Sequence, residues 1–188
     1  NGIRISSIIR GTIWAKLTGK SIQGGSTITQ QLIKNTILTA DRSITRKVKE
    51  WILAVKLEKV MSKDEILALY LNENPYGGSI YGIQEAAMTF LGKNPADLTL
   101  AESAYLAAIP NAPTHYSPYG KNKTALESRK NLVLKRMLDL KFITQDAYNN
   151  ALAEKVIFLP QQPVHIAAPH FVFFIKDYLE KLNNPIKK

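Results

Sequence analysis

The chain has 188 residues, with 25 Lys and Arg against 15 Asp and Glu for a formal net charge of +10, 45% hydrophobic residues and no cysteine. A single domain with a substantial core is available; disorder, disulfides and thiolate metal sites are excluded. The basic surplus favours an anionic partner, such as a membrane surface, a pyrophosphate or a nucleic acid, and no apolar run reaches the ~18 residues of a transmembrane helix.

Residues 3–17 place Ile5, Ile9, Ile13 and Leu17 at spacings of four, with Ile8 and Trp14 beside them and Arg4, Arg10, Lys16 and Lys20 around them. That basic amphipathic helix suits a core-facing position first and a bilayer interface second. Gly24 and Gly25 then run into Ser26 and Thr27, and Thr27 with Gln30 has the spacing of a capping box. A helix starting there presents free N–H groups where its dipole favours an anion. Lys34, Arg42, Arg46 and Lys47 follow within the same stretch.

With about 100° per residue, Ile44, Val48, Trp51 and Val55 form one apolar stripe of the next helix. Arg46, Lys47 and Glu50 share the opposite side, within reach of each other, with Ala54 and Leu57 alongside. Burial and nearby cations tune a carboxylate so placed; the alternative is a solvated face with ordinary ion pairs. The whole stretch reads as a site for a phosphate-bearing substrate, with Glu50 set among cations.

Ser62 and Glu65 predict a second capping box, opening a helix to Asn72. ENPYGGSIYG breaks that helix as a turn, and without a following Gly-Lys-Ser/Thr its glycines are no nucleotide loop. Ile83–Leu91 is the next helix, with Gly92 as its stop. Thr99 and Glu102 form a third box opening LAESAYLAAI, whose small residues suggest close packing at the domain centre. Pro110 ends it, and a proline-rich loop leads to a helix from Lys123 to Leu140. Of its cations Arg129, Lys130, Lys135 and Arg136, most are expected on solvated surface. Thr144 caps a short helix to Ala153. From Val156 to Pro169 the pattern turns extended and marks the domain's edge, followed by a helix over His170–Leu182.

His115, His165 and His170 are scattered, and neither a His-Glu-x-x-His pattern nor a serine elbow is present. Aromatic residues do not interleave with cations as a single-strand platform requires.

GGSTITQQ (Gly24–Gln31), RKVKE (Arg46–Glu50) and ILALYLNENPYGG (Ile66–Gly78) resemble, in order and spacing, three signature motifs of the peptidoglycan glycosyltransferases, glycosyltransferase family 51. NAPTHYSP and SRKNLVLKRM look like later segments of that family. The resemblance implies a glycosyltransferase domain over residues 1–159 and, over 160–188, a linker towards a transpeptidase domain, as in class A penicillin-binding proteins.

The resemblance further implies a mainly α fold, with a lysozyme-like helical lobe and a smaller, flexible, membrane-facing lobe. The family polymerises lipid II into glycan strands, with undecaprenyl diphosphate as leaving group. Carried over by motif, Glu50 is the second catalytic carboxylate and Lys47 and Arg42 bind the diphosphate. Ser26, Gln31 and Lys34 line the donor pocket, and Arg129 lies near the substrate channel. No cofactor is built in, although Mg or Mn could accompany the diphosphate. The implied partners are lipid II, the growing lipid-linked glycan, the membrane surface and moenomycin-type inhibitors, with no nucleic acid. The implied location is the outer face of the bacterial cell membrane, with the anchor outside this chain. The family's first motif carries a Glu-Asp pair and ends in His-x-Gly; Asn1-Gly2 matches only its tail, so the glutamate used as catalytic base is expected outside this chain. Two alternatives stand: the lysozyme-like fold that the resemblance implies suggests a hydrolase or lytic transglycosylase, and the basic helical composition suggests a module binding nucleic acid or anionic lipid.

Overall fold

The computed structural model describes residues 26–36, 44–161, 171 and 174–179. The readings made for residues 3–17, for Gly24 and Gly25, for Arg42 and for most of 162–188 lie outside them. The described chain is mostly helical, as expected of a mainly α fold. In order it forms α1 (Ile28–Thr36), α2 (Ile44–Val60), α3 (Lys63–Glu73), a hairpin of β1 (Pro75–Gly77) and β2 (Ile80–Tyr81), α4 (Ile83–Leu91), α5 (Leu100–Ala108), α6 (Lys123–Asp139) and α7 (Gln145–Ala153). Short 3-10 turns at Pro95–Asp97 and Ile109–Asn111 flank α5.

The helices start where their caps place them. Thr27 and Gln30 exchange reciprocal bonds, each backbone N–H donating to the other's side-chain oxygen at 3.3 Å. Ser62 with Glu65 and Thr99 with Glu102 form the same box at the heads of α3 and α5, and Thr144 caps α7. Each box satisfies two N–H groups that a bare helix end leaves unpaired. Gly92 stops α4 in the left-handed conformation, φ 69°, which a Cβ would disfavour.

The segment expected as a turn after α3 contains the antiparallel hairpin, with Pro75 opposite Tyr81 and Gly77 opposite Ile80. Strands of three and two residues, interrupted by Gly77 and Gly78 at positive φ, are too short to show a two-residue period. Gly82 closes the hairpin at φ 81°, where a Cβ would lie 2.7 Å from the Asn72 carbonyl oxygen.

Helix α5 is the hub, packed on α4, α6 and α7. Ala101, Ala104 and Ala108 are buried on it and let the neighbouring helices approach closely. Tyr76, Phe90, Tyr105, Leu106, Ile109 and Leu126 fill the main core around it. The segment after α7 alternates half-buried and exposed residues as an extended strap. Val156 and Phe158 reach into the core, the Phe158 ring meets Tyr105 edge-on at 5.2 Å, and the Leu159 N–H donates to the Phe90 carbonyl at 2.8 Å.

Two expectations need correction. The apolar stripe of α2 is not its buried face: Val48 and Val55 are exposed and Trp51 is half-buried, whereas Glu50 and Ala54 on the opposite side are buried. Apolar residues occur on both sides of this helix, so periodicity selects no face; the packing of α1 on α2 and α3 does. Lys130, expected with the solvated cations of α6, is 1% exposed, with its ammonium 2.6 Å from Glu127 and 5.1 Å from the Tyr105 ring centroid. An ion-paired ammonium over a ring tolerates burial that a lone one would not.

Candidate active site

The site assembles where the start of α1 meets the buried face of α2. The Thr27 cap fixes the first turn of α1, with Ser26 one residue outside it. The Ser26 carbonyl accepts from Gln31 Nε2 at 3.3 Å, and the Tyr70 hydroxyl of α3 donates to Gln31 Oε1 at 3.5 Å. From α2, Lys47 Nζ donates to Ser26 Oγ at 2.8 Å and to Glu50 Oε1, one turn along its own helix, at 2.5 Å. Glu50 is 1% exposed and Lys47 37% exposed. The second Glu50 oxygen, Oε2, is buried without a hydrogen-bond partner.

Two further bonds clamp α1. Thr29 Oγ1 donates to Glu58 of α2 at 2.7 Å, and Asn35 Nδ2 donates to Asn74, just past α3, at 3.3 Å. The cap, and Ser26 beside it, therefore sit at the head of a helix held at both ends, which limits reorganisation around the Lys47 ammonium when a ligand arrives.

Of the residues singled out beforehand, the structure brings Ser26, Gln31, Lys47 and Glu50 into one hydrogen-bonded chain. Lys34 lies one turn beyond Gln31 on the same side of α1 and is exposed. Arg129 sits half-buried on α6, its Nε without a hydrogen-bond partner. Among the described bonds, none joins it to Glu50 or Lys47. His115 lies 3.1 Å from Asn122 Nδ2 in the loop before α6; His165 and His170 lie outside the described residues. Tyr70, which joins this network, and Glu58 and Asn74, which clamp α1 beside it, were missed. Tyr70 and Asn74 stand inside the ILALYLNENPYGG motif, which was a signal for them; Glu58 had none.

Chemically, the arrangement offers a helix N-terminus, a partly exposed ammonium and a buried carboxylate with an unused oxygen. The first two favour a diphosphate, and the third can accept a proton or orient a donor. The chain matches the family model described as Transglycosylase over residues 1–138.

The chain belongs to the transglycosylase family.

This transglycosylase chain is 41% identical, over 95% of its length, to Penicillin-binding protein 1A of Aquifex aeolicus (strain VF5), of which it covers 24%. It is 46% identical, over 80% of its length, to Penicillin-binding protein 1A of Clostridium perfringens (strain 13 / Type A), of which it covers 23%. Among solved structures, Penicillin-Binding Protein 1A from Haemophilus influenzae matches 82% of the chain and 19% of its own, at 28% identity and a TM-score of 0.49. The transglycosylase chain thus spans about a quarter of the length of these curated relatives. Among its described residues, no helix is long and apolar enough to cross a membrane.

Proposed function

We propose that this domain polymerises lipid II into peptidoglycan glycan strands, releasing undecaprenyl diphosphate. The observation that carries the reading is the Lys47 ammonium shared between Ser26 and Glu50 at the start of α1, in a chain of the transglycosylase family.

The acceptor 4-hydroxyl attacks the anomeric carbon of the growing glycan. The new C1–O4 bond forms as the bond from C1 to the diphosphate oxygen breaks, and a single displacement turns the α-linked phosphate into a β-linked sugar. The hydroxyl proton passes to a base, which the family resemblance assigns to the glutamate of the first motif. Negative charge grows on the departing diphosphate, and preorganised cations stabilise it. Lys47 and Arg42 bind that charge, Ser26, Gln31 and Lys34 line the donor pocket, and Arg129 borders the channel further along. Glu50 is the second catalytic carboxylate; its buried Oε2 orients the groups around the leaving diphosphate. Any Mg or Mn ion would come with the diphosphate substrate. We assign the domain to residues 1–159, followed by a linker, with lipid II, the glycan chain, a moenomycin-type inhibitor and the outer face of the cell membrane as its partners.

The test is incubation of lipid II in detergent with a chain carrying the family's complete first motif. Glycan polymer and free undecaprenyl diphosphate are expected. Trimming of finished strands without polymer would instead establish a hydrolase, and binding that only tracks salt would establish a basic module.

A further inference from the structure

Lys47 is a flexible side chain, and an exposed lysine loses rotamer freedom on being fixed by a ligand. Here much of that freedom is already gone. An ammonium has three donors; Ser26 Oγ takes one at 2.8 Å and Glu50 Oε1 a second at 2.5 Å. Two directed bonds fix rotation about the terminal C–N bond, so tetrahedral geometry fixes the direction of the third N–H. Among the described bonds that third donor has no partner, on a side chain that is 37% exposed. The backbone of Ser26 is itself held through its carbonyl by Gln31, which anchors the residue that carries the hydroxyl.

We infer that Ser26 is a positioning residue for anion binding, acting through Lys47: its hydroxyl and the Glu50 carboxylate together hold the ammonium with one donor left for a diphosphate oxygen. This rests on the diphosphate site proposed above. It differs from a Ser26 that merely contacts substrate, because its contribution vanishes once Lys47 is gone. Ser26 lies outside the capping pair, so losing its hydroxyl leaves the Thr27–Gln30 box intact.

Two measurements test this. In the lipid II assay, Ser26→Ala is expected to lower kcat/KM about tenfold, the loss of one charge-assisted bond; Ser26→Thr, which keeps the hydroxyl, recovers most of it. In a Lys47→Met background the same Ser26→Ala change has no further effect. Effects that multiply independently would overturn the inference. The second measurement needs no lipid II: the rate at which acetic anhydride modifies Lys47, followed by peptide mass spectrometry. Ser26→Ala is expected to raise that rate about threefold or more through loss of the hydroxyl bond, with the thermal midpoint unchanged. An unchanged rate refutes the inference even where polymerisation is seen; a raised rate with no polymerisation by the parent chain upholds the positioning and refutes the proposed reaction.

Discussion

The two halves of the Lys130–Glu127 pair should tolerate mutation very differently. Lys130 is 1% exposed and Glu127 44% exposed, with 2.6 Å between ammonium and carboxylate. The Tyr105 hydroxyl also donates to Glu127. Burial, then the Glu127 bond and charge, pushes that hydroxyl well above its ordinary value. Burial alone would raise Glu127, but its bonds from Lys130 and Tyr105 hold it below the usual carboxylate range. Lys130→Met removes the buried charge, keeps an apolar stem and leaves Glu127 with Tyr105 and water, at a cost of about 0–1 kcal/mol. Glu127→Ala strands an ammonium under the Tyr105 ring and leaves the phenol without its acceptor. Breaking a fully buried pair costs about 3–5 kcal/mol. Discounting for the solvated carboxylate gives about 2–3 kcal/mol here. Urea unfolding at neutral pH should therefore place Glu127→Ala roughly 2 kcal/mol below Lys130→Met, with unchanged m-values. Equal losses, or a larger loss for Lys130→Met, would refute the argument that the stranded lysine sets the cost.

Burial raises the Glu102 carboxyl, but the bonds from Lys93 at 2.7 Å and from the Thr99 backbone and side chain outweigh it and hold the group below its ordinary 4.5. A depressed folded value contributes stability above the unfolded value, lost as pH falls through the folded one; Glu102→Gln should flatten the decline of the melting temperature below about pH 4.5, and an unchanged slope would contradict this. Gly82→Ala should cost about 2 kcal/mol or more, from its positive φ and its collision with Asn72. Gly78→Ala, with φ 58° and open space, should cost about 1 kcal/mol; parallel thermal melts decide the order. Phe158→Ala should lose about 2 kcal/mol by opening the strap's contact with Tyr105, whereas exposed Ile157→Ala should fall within about 0.5 kcal/mol of the parent.

What could be read from the sequence was whatever is local. The caps at Thr27, Ser62, Thr99 and Thr144 and the Gly92 stop depend on side chains and spacings within a single turn, and all of them form. Lys47 and Glu50 were placed together because a helix brings residues three apart into contact. The contact that completes the group, Lys47 to Ser26, spans 21 residues, and that of Tyr70 to Gln31 spans 39; no period encodes either. The run of helix start and cations from Gly24 to Glu50 suggested one site for Ser26, Lys47 and Glu50, and the motif resemblance alone pointed to the segment that carries Tyr70. The inward face of α2 escaped because the helix carries apolar residues all round, and the burial of Lys130 because its partners come from two helices.

The most direct test of the account compares the parent with Glu50→Gln in lipid II polymerisation, each in a chain carrying the complete first motif. The account predicts polymer from the parent and almost none from the variant, with equal folding by circular dichroism. Polymerisation by Glu50→Gln at the parent's rate would make Glu50 only a structural partner of Lys47, and would remove the catalytic role assigned to it.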